Sequence, residues 1–248
     1  MIAVPRKYMA SYFGNFSDVQ PSAETIPIFL KMFADIGLLP TTFTEIGLPA
    51  SGPKIRLRLA SPDNLWIIDF ATLRVSITKN QTKSFNQELG TPEDFAHDAC
   101  DFLSRILADF PKKGNRLSLV TEGFMDEMTE DRLQKAYTLI TVPFEFYKGN
   151  IPVNWMSRAV ARVMVDLCDS KEKLNVICQI GRVQGEIPLI SGIHSFDRIN
   201  VNLDINTYQG NTDTRFDLRS VKPFSDIALR IRNDLVSQIK ERLNKLYE

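Results

Sequence analysis

The chain has 248 residues, 44% of them hydrophobic and 24% charged, and its 30 basic side chains are balanced by 30 acidic ones. That composition suits a folded globular protein, and zero net charge without a basic block argues against a chain whose main task is to grip nucleic acid or an anionic membrane. Three scattered cysteines, Cys100, Cys168 and Cys178, give no disulfide framework and imply a reduced, cytoplasmic setting, and no apolar run reaches signal-peptide or membrane-span length.

Tyr8 to Phe16 is aromatic and β-prone, which predicts a first strand. From Ser22 to Ile36 the residues Ile26, Phe29, Leu30, Phe33 and Ile36 fall at helical spacing, with Pro27 near the first turn and Gly37 as the stop. Thr41 to Ile46 is again β-prone. Between Lys54 and Thr78 the pattern is an antiparallel meander. Its first limb alternates Ile55, Leu57 and Leu59 with Lys54, Arg56 and Arg58, so one face is dry and the other wet. A Ser61-Pro62-Asp63-Asn64 corner and two further limbs, Leu65 to Phe70 and Thr72 to Thr78, complete it.

Thr91-Pro92-Glu93-Asp94 supplies a helix cap, a first-turn proline and two acids for the positive end of the dipole. Phe95, Ala99, Phe102, Ile106 and Phe110 then form an apolar stripe suited to lie on a sheet, and Pro111 ends it. Arg116 to Thr121 reads as a strand and Thr129 to Tyr137 as a helix. Strands are expected at Thr141 to Tyr147, Val153 to Leu167, Leu174 to Ile180 and Ile199 to Asn206. The last helix, Val221 to Leu246, carries the stripe Phe224, Ala228, Ile231, Leu235 and Ile239.

Both halves follow one element order, and Arg56 corresponds to Arg162, Arg74-Val75 to Arg182-Val183, and each stripe to the other. The expected fold is therefore α+β: a tandem duplication of β-α-β4-α units, residues 1–112 and 113–248, packed as one globular body. In it antiparallel sheets carry their long helices on one face. This order resembles the saddle of the TATA-binding protein and its helix-grip relatives, although a DNA saddle wants a basic concave face. The tail, Leu203-Asp204-Ile205-Asn206-Thr207-Tyr208 followed by Phe224 to Ala228 and Leu235 to Leu243, is similar to that of a sporadically distributed, uncharacterised bacterial protein family. The likeness implies a bacterial setting and a fold, and brings no known reaction with it.

Motifs for chemistry are scarce. His97 and Cys100 share a helix face, but two more metal ligands would be needed and no spacing supplies them. His194 lies in the loop Ser191-Gly192-Ile193-His194-Ser195, where it could act as a base, yet there is no Gly-x-Ser-x-Gly nucleophile motif. Neither Gly-x-Gly-x-x-Gly nor the Walker pattern occurs, so no cofactor is expected. What remains is the polar sheet face: Arg56, Arg58, Arg74, Arg162, Arg182, Asn200, Asn202, Asp204 and Asn206. Arg182 joins it only if Gly181 marks a bulge; simple alternation sets Arg182 with Ile180. Solvated sheets alternate in this way and cross-strand Arg–Asp pairs would account for it, but arginine also grips planar or anionic groups.

The leading expectation is a non-catalytic interaction protein that uses this face, or the sheet edge, to bind a protein partner or a second copy of itself. The competing one is a ligand-binding or enzymatic helix-grip domain with a pocket between sheet and helices near His97 or His194. A third, an accessory factor in bacterial phage defence, follows only from the family resemblance.

Overall fold

The computed structural model describes residues 2–46, 52–81, 89–189 and 192–246. β1 (Ile2–Phe13) leads to α1 (Thr25–Met32), then to β2 (Leu39–Ile46), β3 (Pro53–Ala60), β4 (Trp66–Ala71), β5 (Arg74–Asn80) and α2 (Pro92–Asp109). The second half holds β6 (Arg116–Met125), α3 (Glu130–Ile140), the short α4 (Glu145–Gly149), β7 (Met156–Leu167), β8 (Ser170–Leu189), β9 (Gly192–Thr207) and α5 (Leu218–Asn244).

The strands form one nine-stranded antiparallel sheet in the order β2-β3-β4-β5-β1-β6-β9-β8-β7. The fold is α+β, and the pairing of β1 with β6 carries the sheet across the boundary near residue 112. Outward from that pair, β1-β5-β4-β3 on one side is matched in order by β6-β9-β8-β7 on the other.

Two expectations fail in the second half. Thr141 to Tyr147 is not a strand: Pro143 has no N–H for a ladder, and Val142 and Phe144, 95% and 80% exposed, have no face to bury against. The stretch instead ends in the α4 turn, so this half has three strands after its helices, and its order is not β-α-β4-α. Leu174 to Ile180 is only part of β8, which runs straight on through Arg182. Arg74 therefore opens a strand while Arg182 sits inside one, and β9, not the end of β8, takes the place that β5 holds in the first half.

The helices sit where their stripes require. α2 begins with a reciprocal cap: the Thr91 hydroxyl accepts from the Asp94 N–H at 3.0 Å, and the Asp94 carboxylate accepts from the Thr91 N–H at 3.1 Å. Its Phe95, Ala99, Phe102 and Ile106 bury against Tyr8, Trp66, Ile68 and Ile77 of the sheet. α5 adds Phe224 and Ala228 to that core, then crosses to a second cluster, where Ile239 and Leu243 meet Leu133 and Tyr137 of α3 and Ile180, Val201 and Leu203 of the sheet. α1 covers the outer strands of the first half. Its Phe29 stands 4.7 Å from Phe70 and 5.1 Å from Phe110, ring centre to ring centre, and Phe33 stands 5.5 Å from Phe102. Each such ring adds roughly 1.5–3 kcal/mol by leaving water. These four helices share one face of the sheet; among the described residues the other face carries none.

Candidate functional site

The register of the ladders fixes which side chains share the uncovered face. One row of directly opposed residues crosses all nine strands: Thr41, Arg58, Asp69, Ser76, Ser11, Ser118, Asn206, Asn175 and Arg162. Most of it is closed upon itself. Arg58 grips Asp69 through two bonds of 2.6 and 2.9 Å. The Ser11 and Ser76 hydroxyls bond each other at 3.0 Å, Ser118 and Asn206 donate to Asp204 at 3.1 and 2.9 Å, and Asn175 donates to Asn206 at 3.1 Å. The short serine and asparagine side chains are buried between longer neighbours, so this strip ties strands together and offers little to a partner.

Several residues expected on an accessible polar face are therefore committed elsewhere. Arg56 has the right side of β3 but is 3% exposed. Its guanidinium donates to the carbonyls of Phe70, Phe16 and Ser17 at 2.9, 2.6 and 3.3 Å, with Glu45 at 3.7 Å. It holds the end of the meander against the segment after β1 and is buried beneath the surface. Arg182 lies on the opposite face, because β8 and β9 pair without a register shift and set it across from Ile199, next to Ile180 and Val201. There Gly181 makes no bulge. Arg182 donates to Asp197 at 2.9 and 2.6 Å and to Glu130, at the start of α3, at 2.5 Å. The bond to Asp197 above all raises the arginine pKa, and Arg182 in turn holds the carboxyls of Asp197 and Glu130 below the usual range. Asn200 and Asn202 both donate to Glu122, at 3.2 and 3.4 Å. Asp204 is the acceptor at the centre of the strip.

Arg74 and Arg162 remain, and the structure joins them through residues that sequence reasoning missed. Arg74 lies 5.7 Å from the centre of the Phe13 ring, and Arg116 lies 4.6 Å from the same ring. Farther along, Arg162 and Lys173 lie 5.0 and 5.1 Å from the ring of Tyr208, whose N–H bonds the Lys173 carbonyl. The result is a row of four cations interleaved with two rings, running from β5 to β7 over roughly 20–25 Å of strand spacings. None of the four cations has an ion-pair partner among the described residues. Burial pushes the Arg116 pKa down, with Asp204 opposing and Arg74 adding to the effect. A cleft of about 360 Å³, lined by Phe13, Asn115, Arg116, Gln209, Asn211 and Thr214, opens beside this row. Tyr208 was legible as the residue two beyond Asn206 on the same face; Arg116 and Lys173 depend on which strands are neighbours.

Elsewhere, a groove of about 550 Å³ separates α3 and the end of α5 from β7 and β8, lined by Leu139, Ile140, Cys178, Ile180, Leu235 and Ile239 and rimmed by Glu241 and Arg242. Among the described residues no histidine lines it: His97 is exposed on α2, and the side chain of His194 lies outside the described residues. Burial raises the Cys178 thiol pKa, which favours its protonated form. Among the described residues no cluster of three metal-ligating side chains occurs, and no helix is long and apolar enough to cross a membrane. A scan against protein-family models gives no match to this chain, and a search of curated proteins gives none either.

Proposed function

We propose that this is a non-catalytic interaction protein that binds an acidic segment of a protein partner across the uncovered sheet face. The observation that carries this reading is the set of Arg74, Arg116, Arg162 and Lys173, cations without a carboxylate in ion-pair contact among the described residues, set over the rings of Phe13 and Tyr208. On the same face Arg58, by contrast, is neutralised by Asp69. Guanidinium groups fixed in this way lose little freedom when they take a carboxylate in a two-pronged bond. Nucleic acid is the poorer fit, because both rings already hold cations and leave no bare platform for bases, and the chain is neutral. Three free thiols agree with an intracellular setting. The matched strand order either side of β1 and β6 supports reading the two halves as copies of one ancestral unit.

The test is titration of a labelled aspartate- and glutamate-rich peptide, followed by anisotropy, against the intact protein and the variant Arg74→Ser/Arg116→Ser/Arg162→Ser. The expected loss is about tenfold or more, from three charge-assisted contacts of modest strength each, with circular dichroism unchanged. Equal binding by both proteins, or tighter binding of a single-stranded oligonucleotide of matched charge, would overturn the reading. The groove beside α5 favours a second one, capture of a small apolar ligand, since its volume lies within the range of such sites. Enlarging a wall residue, as in Ala159→Phe, would block that ligand and leave peptide binding intact.

A further inference from the structure

The two ends of the sheet are built differently as edges. β2 carries Pro40 within its length, a residue that cannot donate to an added strand. β7 has 12 residues with neither proline nor lysine, and its side away from β8 meets no strand among the described residues. The phase of its ladder is set at its start, where the Arg182 N–H donates to the Trp155 carbonyl at 3.0 Å. In an antiparallel pair such bonds recur at every second residue. The odd-numbered residues of β7 therefore bond β8, and the even-numbered ones turn their N–H and C=O outward. The same even positions, Met156, Arg158, Val160, Arg162, Met164 and Asp166, put their side chains on the uncovered face. Of these Met156, Val160 and Met164 are 65%, 48% and 58% exposed.

We propose that a second copy of the chain pairs with β7 about a two-fold axis at Arg162, joining the two sheets edge to edge. Antiparallel pairing centred there sets Arg158 against Asp166 of the partner subunit and Val160 against the partner's Met164, and the symmetry repeats both contacts. Two charge pairs, two apolar pairs and about ten backbone bonds result. Moving the axis by two residues toward the start of the strand, to Val160, opposes Arg158 with Arg162 of the partner subunit, which repels. In the chosen register only Arg162 meets its own copy, and its guanidinium is drawn back over its own Tyr208 ring. Asp166 is 75% exposed and held only by Lys171, at 2.7 Å, so it has oxygens to spare for Arg158 of the partner subunit.

Sedimentation of the full chain over a micromolar concentration series tests this. Wild type should form dimers. Arg158→Asp alone and Asp166→Arg alone should each weaken association by at least about tenfold, because each sets like charges opposite one another twice. The double variant Arg158→Asp/Asp166→Arg should restore it. Val160→Pro should abolish it while keeping the fold, since the lost N–H faces outward and not toward β8. A wild type that stays monomeric throughout, single variants that dimerise normally, or a double variant no better than either single one would overturn the proposal. Arg162 is shared with the cation row, so peptide binding is read separately through Arg74→Ser/Arg116→Ser, which leaves β7 untouched.

Discussion

The outer strands of the first half and those of the second hold the same rank in the sheet, two places from its centre and beyond, yet they are finished in opposite ways. Over β3 and β4 the helix α1 lowers Phe29 and Phe33 onto Phe70, Phe102 and Phe110, and Arg58 is locked to Asp69 beneath. Over β7 and β8, α5 covers only part of the face, and no helix of the described residues adds a matching aromatic layer. A groove is left beside α5, Ala159 and Ala161 are exposed, and Arg158 and Arg162 have no ion-pair partner among the described residues. Aromatic burial closes one end, and the other leaves polar and edge groups exposed.

Four changes would break or sharpen that contrast. Phe29→Ala should cost about 3–5 kcal/mol in urea unfolding, since the ring is fully buried among aromatics that cannot collapse into the space. Met164→Ala, at the opposite end and mostly exposed, should fall within about 0.5 kcal/mol of wild type. Arg56→Ala comes next, at about 3 kcal/mol, because it strands three carbonyls and leaves Glu45 without its cation. Arg56→Lys should recover only part of this, lacking the fork that reaches all three. If Arg56→Ala unfolds like Arg162→Ala, the distinction between a buried clamp and a free contact collapses.

Alkaline titration is the third. Tyr8 donates to the Gly90 carbonyl, and Tyr12 to those of Lys112 and Phe216; burial foremost pushes both phenols from 10 up to about 12. The neutral forms are favoured by the fold, so their contribution is whole below pH 10 and fades as pH rises toward 12. The expected slope is at most about 1.4 kcal/mol per pH unit for each tyrosine, and Tyr12→Phe should flatten it by half. A stability profile flat between pH 9 and pH 12 would contradict this burial. Smallest is Arg58→Ala: its pair with Asp69 is one-third exposed, so a loss of about 0.2–1 kcal/mol is expected, shrinking in high salt.

Legibility in the sequence followed locality. Alternation in Ile55–Leu59 and Ile199–Asn206 gave the strands and their faces, and Thr91-Pro92 with the stripe from Phe95 gave α2, because these signals lie within a few residues. Arg56 kept its face but not its exposure, since what covers it is the stretch after β1 and the Glu45 carboxylate, both remote in sequence. Arg182 was misplaced by assuming a bulge where β8 simply continues. Phe144 and Phe146 looked like strand residues because β-propensity reports a half-buried surface, and here none is offered. The cation row stayed hidden for a further reason: Arg74, Arg116 and Lys173 become neighbours only once β1 is placed between β5 and β6 and β9 beside β6.

α5 reaches from Phe224 in one apolar cluster to Leu243 in the other. A single rigid rod bolted to both clusters couples their melting, so neither half can open while the other stays shut unless the rod itself fractures. Denaturation should thus be all-or-none in spite of the two clusters, and cutting the chain ahead of Leu218 would release both of them at once.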